Sequence, residues 1–389
     1  MGRPVADACR DLISPLPVEV KHRILERLSI RDAARTALLL THWNHVWLQY
    51  GRLSFDWDFS NSVDDEGRTL VDIINNILLS RAGPVKEFCL MIENYYPELR
   101  QSDFHRWCLF LSRNGMEELN IRFIICGGAL SYKLPFCILS CRTIKQLSVR
   151  GLFIDLPVNN VGGIFFNVTS LSFSFVEFRR TANGTASSIS IPNLEKLDFL
   201  YCEGITKFEI NASKLEMLSV HNSMHDVVES RWLTPHLKAI KVLGLCGSSL
   251  PLTIVMQLLQ KCPNLCELGI IADEAACRPD KEVASRRLED PDGCFIVQEL
   301  KMLNTIRIES FSGSAFEMLF VKMLLSKSPA LEKVVIMEFG HIDTSIAFKS
   351  LRELLCFPRA SPKAQIVCME HDGSMLGWAM GKLWSMGTC

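Results

Sequence analysis

From residue 85 onward the apolar positions fall into one recurring phrase: an apolar residue, two others, an apolar residue, one other, an apolar residue. Leu194, Leu197 and Phe199, with Cys202 after them, state it most plainly. Before them come Val85, Phe88, Leu90; Met116, Leu119, Ile121; Ile144, Leu147, Val149; and Val168, Leu171, Phe173. After them come Leu215, Leu218, Val220; Leu237, Ile240, Val242; Leu265, Leu268, Ile270; Leu303, Ile306, Ile308; and Leu331, Val334, Ile336. The starts lie 31, 28, 24, 26, 21, 22, 28, 38 and 28 residues apart. The last two apolar positions are separated by one residue, the period of a strand with one face buried. No such unit can bury its own face, so the units must stack and bury one another's.

The segments between the phrases read as helices and loops. Leu250 to Lys261 and Phe316 to Ser326 are helical in pattern and are stopped by Pro263 and Pro329. Asp273 to Gly293, charged and carrying Pro279 and Pro291, reads as an exposed insertion loop, and Asp64-Asp65-Glu66 as a solvated hinge. On each strand the residues flanking the third apolar position face outward: Asn120 and Arg122, Ser148 and Arg150, Ser172 and Ser174, Asp198 and Leu200, Ser219 and His221, Lys241 and Leu243. Arg122, Arg150, Asp198, His221 and Lys241 change charge from strand to strand. That mixture suits recognition of a partner by matching and by like-charge rejection.

The first 50 residues follow another rhythm. Pro17 is suited to a helix start, and Val20, Ile24, Leu25 and Leu28 then fall on one helical face. Ser29 can cap a second helix with Asp32 in its first turn, and Thr41 a third, in which Trp43 and Trp47 stand at i, i+4. Three helices in under about 40 residues bury too little surface to stand alone, so their apolar face needs a partner.

Composition narrows the function. The 389 residues are 48% hydrophobic and 22% charged, with a net charge of −1, which argues against a general nucleic-acid surface. No apolar signal segment follows Met1, position 6 is not the Ser or Thr that myristoylation needs, and no apolar run is long enough to span a membrane. The fifteen cysteines then read as reduced thiols of the cytoplasm or nucleus, and the sequons at Asn167, Asn183 and Asn211 as chance. Cys137 with Cys141 and Cys262 with Cys266 lack a second ligand pair, so no metal is expected. There is no phosphate loop, zinc-protease or Gly-x-Ser-x-Gly motif, the nine histidines are scattered, and Cys202 reads as core. Neither catalytic residues nor a cofactor are expected.

Two stretches carry a family resemblance. Ser14-Pro15-Leu16-Pro17-Val18-Glu19-Val20, Ile24-Leu25-Glu26-Arg27-Leu28, Arg31-Asp32-Ala33-Ala34-Arg35-Thr36 and the Trp43, Trp47 pair resemble an F-box, with Leu28-Ser29 where many relatives have Leu-Pro and His42 where they have a basic residue. The repeating phrase, at a spacing mostly near 20–29 residues, is that of leucine-rich repeats. Thr305 to Gly313, Ser328 to Ile336 and Phe357-Pro358-Arg359-Ala360-Ser361-Pro362 resemble the FBD region of plant F-box/leucine-rich-repeat/FBD proteins. The resemblance implies an α/β fold: a three-helix F-box (residues 1–55), a linker and first helix (56–84), an irregular leucine-rich-repeat solenoid (85–300) with a curved parallel sheet and helices on its convex side, an FBD region completing the array (301–370) and a tail (371–389). It also implies a non-catalytic substrate-recognition subunit of an SCF ubiquitin ligase. Leu16, Pro17, Val20, Ile24, Leu28, Leu39, Leu40 and Trp43 would then contact an Skp1-like adaptor and, through it, a cullin. The repeats would hold a target protein. The alternatives are an interaction scaffold outside ubiquitination and a receptor in which a small ligand completes the repeat surface.

Overall fold

The structure is a computed structural model. It describes residues 13, 15–38, 41–61, 69–93, 99–124, 132–156, 163–180, 187–222, 233–247, 255, 258–272, 299–311, 313–338 and 344–369. The expected hinge at 64–66, the insertion loop at 273–293 and the tail at 371–389 lie outside these residues. The chain divides into two compact units, Met1–Ile191 and Pro192–Cys389.

The first unit opens with α1 (Val18–Leu25), α2 (Ile30–Thr36) and α3 (Thr41–Gln49). It continues with β1 (Arg52–Phe55), α4 (Trp57–Asn61), α5 (Leu70–Leu79), β2 (Glu87–Glu93), α6 (Gln101–Arg113), β3 (Glu118–Ile124), α7 (Phe136–Leu139) and β4 (Gln146–Arg150). The last elements are β5 (Phe153–Leu156), β6 (Ser170–Ser174), β7 (Glu177–Arg180) and β8 (Ser187–Ser190). Strands β1, β2, β3, β4 and β6 form a parallel ladder in that order, so that Leu53, Phe88, Leu119, Leu147 and Leu171 lie side by side in one buried row. β5 and β7 make a second, two-stranded parallel pair. The phrase residues are the core of the ladder because parallel stacking gives each inward side chain an apolar neighbour on the next strand.

The ladder begins one unit earlier than the expected start at residue 85. Tyr50, Leu53 and Phe55 already spell the phrase, and all three are buried. The stretch expected as linker and first helix, 56–84, holds the helical return of this first repeat. Helix α5 is capped by Thr69, whose hydroxyl accepts from the Asp72 amide at 3.1 Å, and it buries Leu70, Ile74 and Leu78. Helix α6 buries Phe104, Trp107, Cys108 and Leu111, and the Trp107 indole N–H donates to Asn75 Oδ1 at 2.8 Å, which ties it to α5. Phe104 meets the inward ring of Phe123 edge-on at 5.4 Å, so α6 covers the buried side of β3. After β4 the chain turns through Gly151 at φ 72°, where a Cβ would sit 2.0 Å from the Phe123 carbonyl oxygen; only glycine fits.

The second unit contains β9 (Lys196–Leu200), β10 (Phe208–Asn211), β11 (Met217–His221), β12 (Val242–Gly247), β13 (Glu267–Ala272), β14 (Thr305–Phe311), β15 (Lys333–Glu338) and β16 (Gln365–Met369). Strands β9, β11, β12, β13, β14, β15 and β16 pair in parallel in that order. Of the helix expected over 250–261, Val255 and residues 258–260 are helical and the rest before Lys261 lie outside the described residues. The helix expected from Phe316 runs Ala315–Lys327, opened by a reciprocal cap between Ser314 and Glu317. A further helix, Thr344–Leu355, and β16 extend the array beyond the last phrase. The FBD-like segments thus supply two more β–α turns of the same sheet. Arg359, within the Phe357–Pro362 stretch, donates to the Ala364 and Leu355 carbonyls and fixes the approach to β16.

Nine of the ten phrases have the expected register. The exception is at residues 237–245, where two overlapping phrases compete: Leu237, Ile240, Val242 and Ile240, Leu243, Leu245. The structure selects the second, because Leu243 and Leu245 pair with Leu218 and Val220 and are fully buried. Leu237 is buried too, in a short 3-10 turn ahead of the strand. A one-residue slip exchanges the two faces of a strand, so the expectation that Lys241 and Leu243 face outward is corrected here. The outward residues of β12 are Val242, Gly244 and Cys246.

Candidate functional site

The N-terminal helices are held together from within. Leu25, Ile30, Ala33, Val46, Trp47 and Tyr50 are buried, and burial pushes the Tyr50 phenol up to about 12. Ser29 caps α2, its hydroxyl accepting from the Asp32 amide at 3.2 Å. The opposite side of the module is apolar and open. Pro17 and Val18 are exposed, Leu16 and Ile24 half-buried, and Val20, Leu28 and Leu38 are 39%, 38% and 85% exposed. Of the residues expected to meet an adaptor, Leu16, Pro17, Val20, Ile24 and Leu28 are thus accessible on or beside α1. Leu39 and Leu40 lie outside the described residues. Trp43 corrects its expectation: it is 3% exposed, turned into the module, with the Lys21 ammonium 5.7 Å from its ring. Its large apolar area is spent on holding the helices together.

Sequence reasoning missed Arg81. Its guanidinium lies over Trp47 and donates to the carbonyls of Trp47 and Tyr50, so it clasps the module to the end of α5. A lone basic residue after an apolar helix carries no such signal in sequence.

The outward face of the ladder in the first unit is arranged in rows. Parallel register puts Arg52, Glu87, Glu118 and Gln146 in one row, and Ser54, Cys89, Asn120 and Ser148 in the next. Beyond these, Met91, Arg122 and Arg150 form a third row, two of them the expected target-binding arginines side by side. A groove of about 320 Å³ lies over the first two rows. Arg52 pairs with Glu87 at 3.0 Å, and the Gln146 amide donates to Glu118 at 3.2 Å. Burial, and the neighbouring Glu87, raise the Glu118 carboxyl above its ordinary range. The Arg122 Nε donates to Asn120 at 3.1 Å, and the Arg150 guanidinium is 4.6 Å from the Phe175 ring.

In the second unit, register sets Asp198 beside Ser219 and Leu200 beside His221. Asp198 Oδ1 and the Ser219 hydroxyl lie 3.9 and 2.5 Å from His221 Nε2. Both address the same ring nitrogen, so the three residues do not form a nucleophile–base–orienter chain. His221 is 5% exposed, and burial pushes its pKa down to about 4, leaving a neutral imidazole in place of an exposed contact. Lys241 stands just before β12 and pairs with Glu216 at 2.7 Å, off the outward face. Among the described residues no group of three or more His, Cys, Asp or Glu side chains is placed to hold a metal, and no helix is long and apolar enough to cross a membrane.

Stacked parallel strands, each fed by one apolar phrase and returned by helix or turn, define a leucine-rich-repeat protein, here with three helices at its N-terminus. The profile described as At1g61320/AtMIF1, LRR domain matches residues 77–354, and the chain belongs to that family. Its curated relatives are Arabidopsis thaliana F-box/FBD/LRR-repeat proteins. Similarity to At1g13570, an F-box/FBD/LRR-repeat protein, is 28% identity over 424 aligned residues, 92% of this chain and 99% of that protein. The F-box/FBD/LRR-repeat protein At3g52680 is 24% identical over 55% of this chain, and the F-box/LRR-repeat protein At2g42720 is 32% identical over 39%. The chain spans 46% and 35% of the length of those two. No enzymatic activity appears in these names.

Proposed function

We propose that this chain is a non-catalytic substrate-recognition subunit of an SCF-type ubiquitin ligase, acting in the cytoplasm or nucleus. The N-terminal helices seat on an Skp1-like adaptor, the adaptor joins a cullin, and the outward strand face holds a target protein for ubiquitination by other subunits. The observation that carries this reading is the open apolar surface of Leu16, Pro17, Val20, Ile24 and Leu28 on a module whose own core is already complete. Covering an exposed Val or Leu contributes about 1.5–3 kcal/mol at most, so a few such contacts suffice for a stable dock. The F-box in the names of the relatives supports the same assignment.

The test is capture of an Skp1-like adaptor and a cullin on co-expression with the full chain. Val20→Asp with Leu28→Asp should abolish capture while leaving the circular-dichroism melt in place. Trp43→Ala should instead lower stability, by about 3–5 kcal/mol, because the indole is interior. Failure of the wild-type chain to capture any Skp1-like adaptor, or full capture by the double variant, overturns the proposal.

A further inference from the structure

We infer that the outward face of β2, β3 and β4 is a binding site for an extended peptide segment carrying an acidic residue about four positions from a basic one. The inference rests on the target-receptor reading only for where such a segment comes from; the site itself needs neither adaptor nor cullin.

The argument starts on β3. Glu118, Asn120 and Arg122 alternate onto one face, so an acid and a base stand about 13 Å apart along the strand with an amide between them. Register then sets a second carboxylate, itself paired with Arg52, beside the first, and a second guanidinium beside Arg122. Glu87 is the partner of Glu118, and Arg150 is the partner of Arg122. Neighbouring strands are only about 4.8 Å apart, so each pair sets like charges against each other. Arg52 already offsets Glu87 from the β1 side at 3.0 Å, which leaves Glu118 as the carboxylate for a ligand cation, while a ligand carboxylate complements the two guanidinium groups at the other end. Gln146, Asn120 and Phe175 hold Glu118, Arg122 and Arg150 in place before any ligand arrives. Burial first, and the neighbouring Glu87 second, raise the Glu118 carboxyl above its ordinary range.

The middle of the face selects the backbone of the occupant. Cys89, Asn120 and Ser148 are uncharged and offer donors and acceptors for peptide N–H and C=O groups. An extended chain rises about 3.3 Å per residue and covers the 13 Å in four residues. A helix would advance only about 6 Å over the same four and would miss one end. The groove of about 320 Å³ covers the acidic end and the middle of this face, over the Glu118 and Asn120 rows, and the Arg122 and Arg150 row lies beyond its lining. The acidic pair repels a phosphate backbone, so nucleic acid does not fit.

The experiment selects a displayed library of random ten-residue peptides on the purified full-length chain. Enriched peptides should share Asp or Glu separated from Lys or Arg by three to five positions. Arg122→Gln with Arg150→Gln should weaken binding of a selected peptide about tenfold or more and remove the preference for the acid. Glu87→Gln with Glu118→Gln should remove the preference for the base. Glutamine keeps the residues polar, and circular dichroism checks that each variant is folded. No enrichment, enrichment without the paired charges, or a preference unchanged in both folded variants overturns the inference. Adaptor capture is measured in parallel. Peptide selection without adaptor capture removes the ligase reading alone, and adaptor capture without peptide selection removes this site alone.

Discussion

The guanidinium of Arg81 lies 4.3 Å from the centre of the Trp47 ring and donates to the Trp47 carbonyl at 2.7 Å. One side chain thus joins the last turn of α3 to the second residue after α5, and burial lowers its pKa to about 10. The Ala82 amide, donating to the Leu48 carbonyl at 3.0 Å, closes the same joint from the backbone. The helical module is thereby anchored to the first repeat through α3, leaving α1 free to face outward.

Arg81→Ala should cost about 2–3 kcal/mol, the sum of a charge-assisted hydrogen bond and a partly buried cation–π contact. Urea unfolding followed by tryptophan fluorescence measures it. Arg81→Lys should recover less than half, because an ammonium cannot both lie flat on the indole and fork to two carbonyls. A lysine variant as stable as the wild type would contradict this account of the joint.

Two adjacent substitutions test the register of β12. Leu243→Lys places an unpaired charge among Leu218, Leu268 and their neighbours and should prevent folding of the second unit. Val242→Lys places the same charge on the outward face beside Glu267 and should change stability by less than about 1 kcal/mol. The reverse order of effects in thermal melts would restore the register with Leu237, Ile240 and Val242 inward.

His221 makes the second unit acid-sensitive. Its folded pKa near 4 lies below the ordinary value of 6.5, so below pH 6.5 the unfolded chain binds the proton more readily. Its contribution is therefore complete above about pH 6.5 and is lost as the pH falls toward 4. Between pH 7.5 and 5 the wild type should lose on the order of 2 kcal/mol that a His221→Gln variant does not lose. Urea titrations of both proteins at the two pH values decide it; parallel losses would show that the imidazole is not the group responsible.

Much of this architecture was legible in the chain. The spacing of Leu197 from Leu194 and of Phe199 from Leu197 says that both point inward, and the same offsets place nine of the ten expected phrases correctly, because only one parity of a half-buried strand keeps its apolar side chains from water. The accessible apolar residues of α1 were equally visible as a helical stripe. Trp43 and His221 were not: both are residue types that occur in cores and at surfaces, and their burial depends on neighbours supplied by other segments. Tyr50 concealed the first repeat because it closes the helical module and opens the first phrase at once.

What the sequence by itself determined is the alternation that makes strands, the stacking it requires, and an N-terminal helical face left in want of a partner. These are local periodicities, and burial of apolar surface enforces them wherever they occur. Only the tertiary structure decided which residues stand next to one another. Glu87 reaches Glu118, and Arg122 reaches Arg150, across stretches of 31 and 28 residues because the length of each intervening return sets the parallel register. No short pattern in the chain records that length as a pairing. The charges of the outward face acquire their meaning only when the ladder closes.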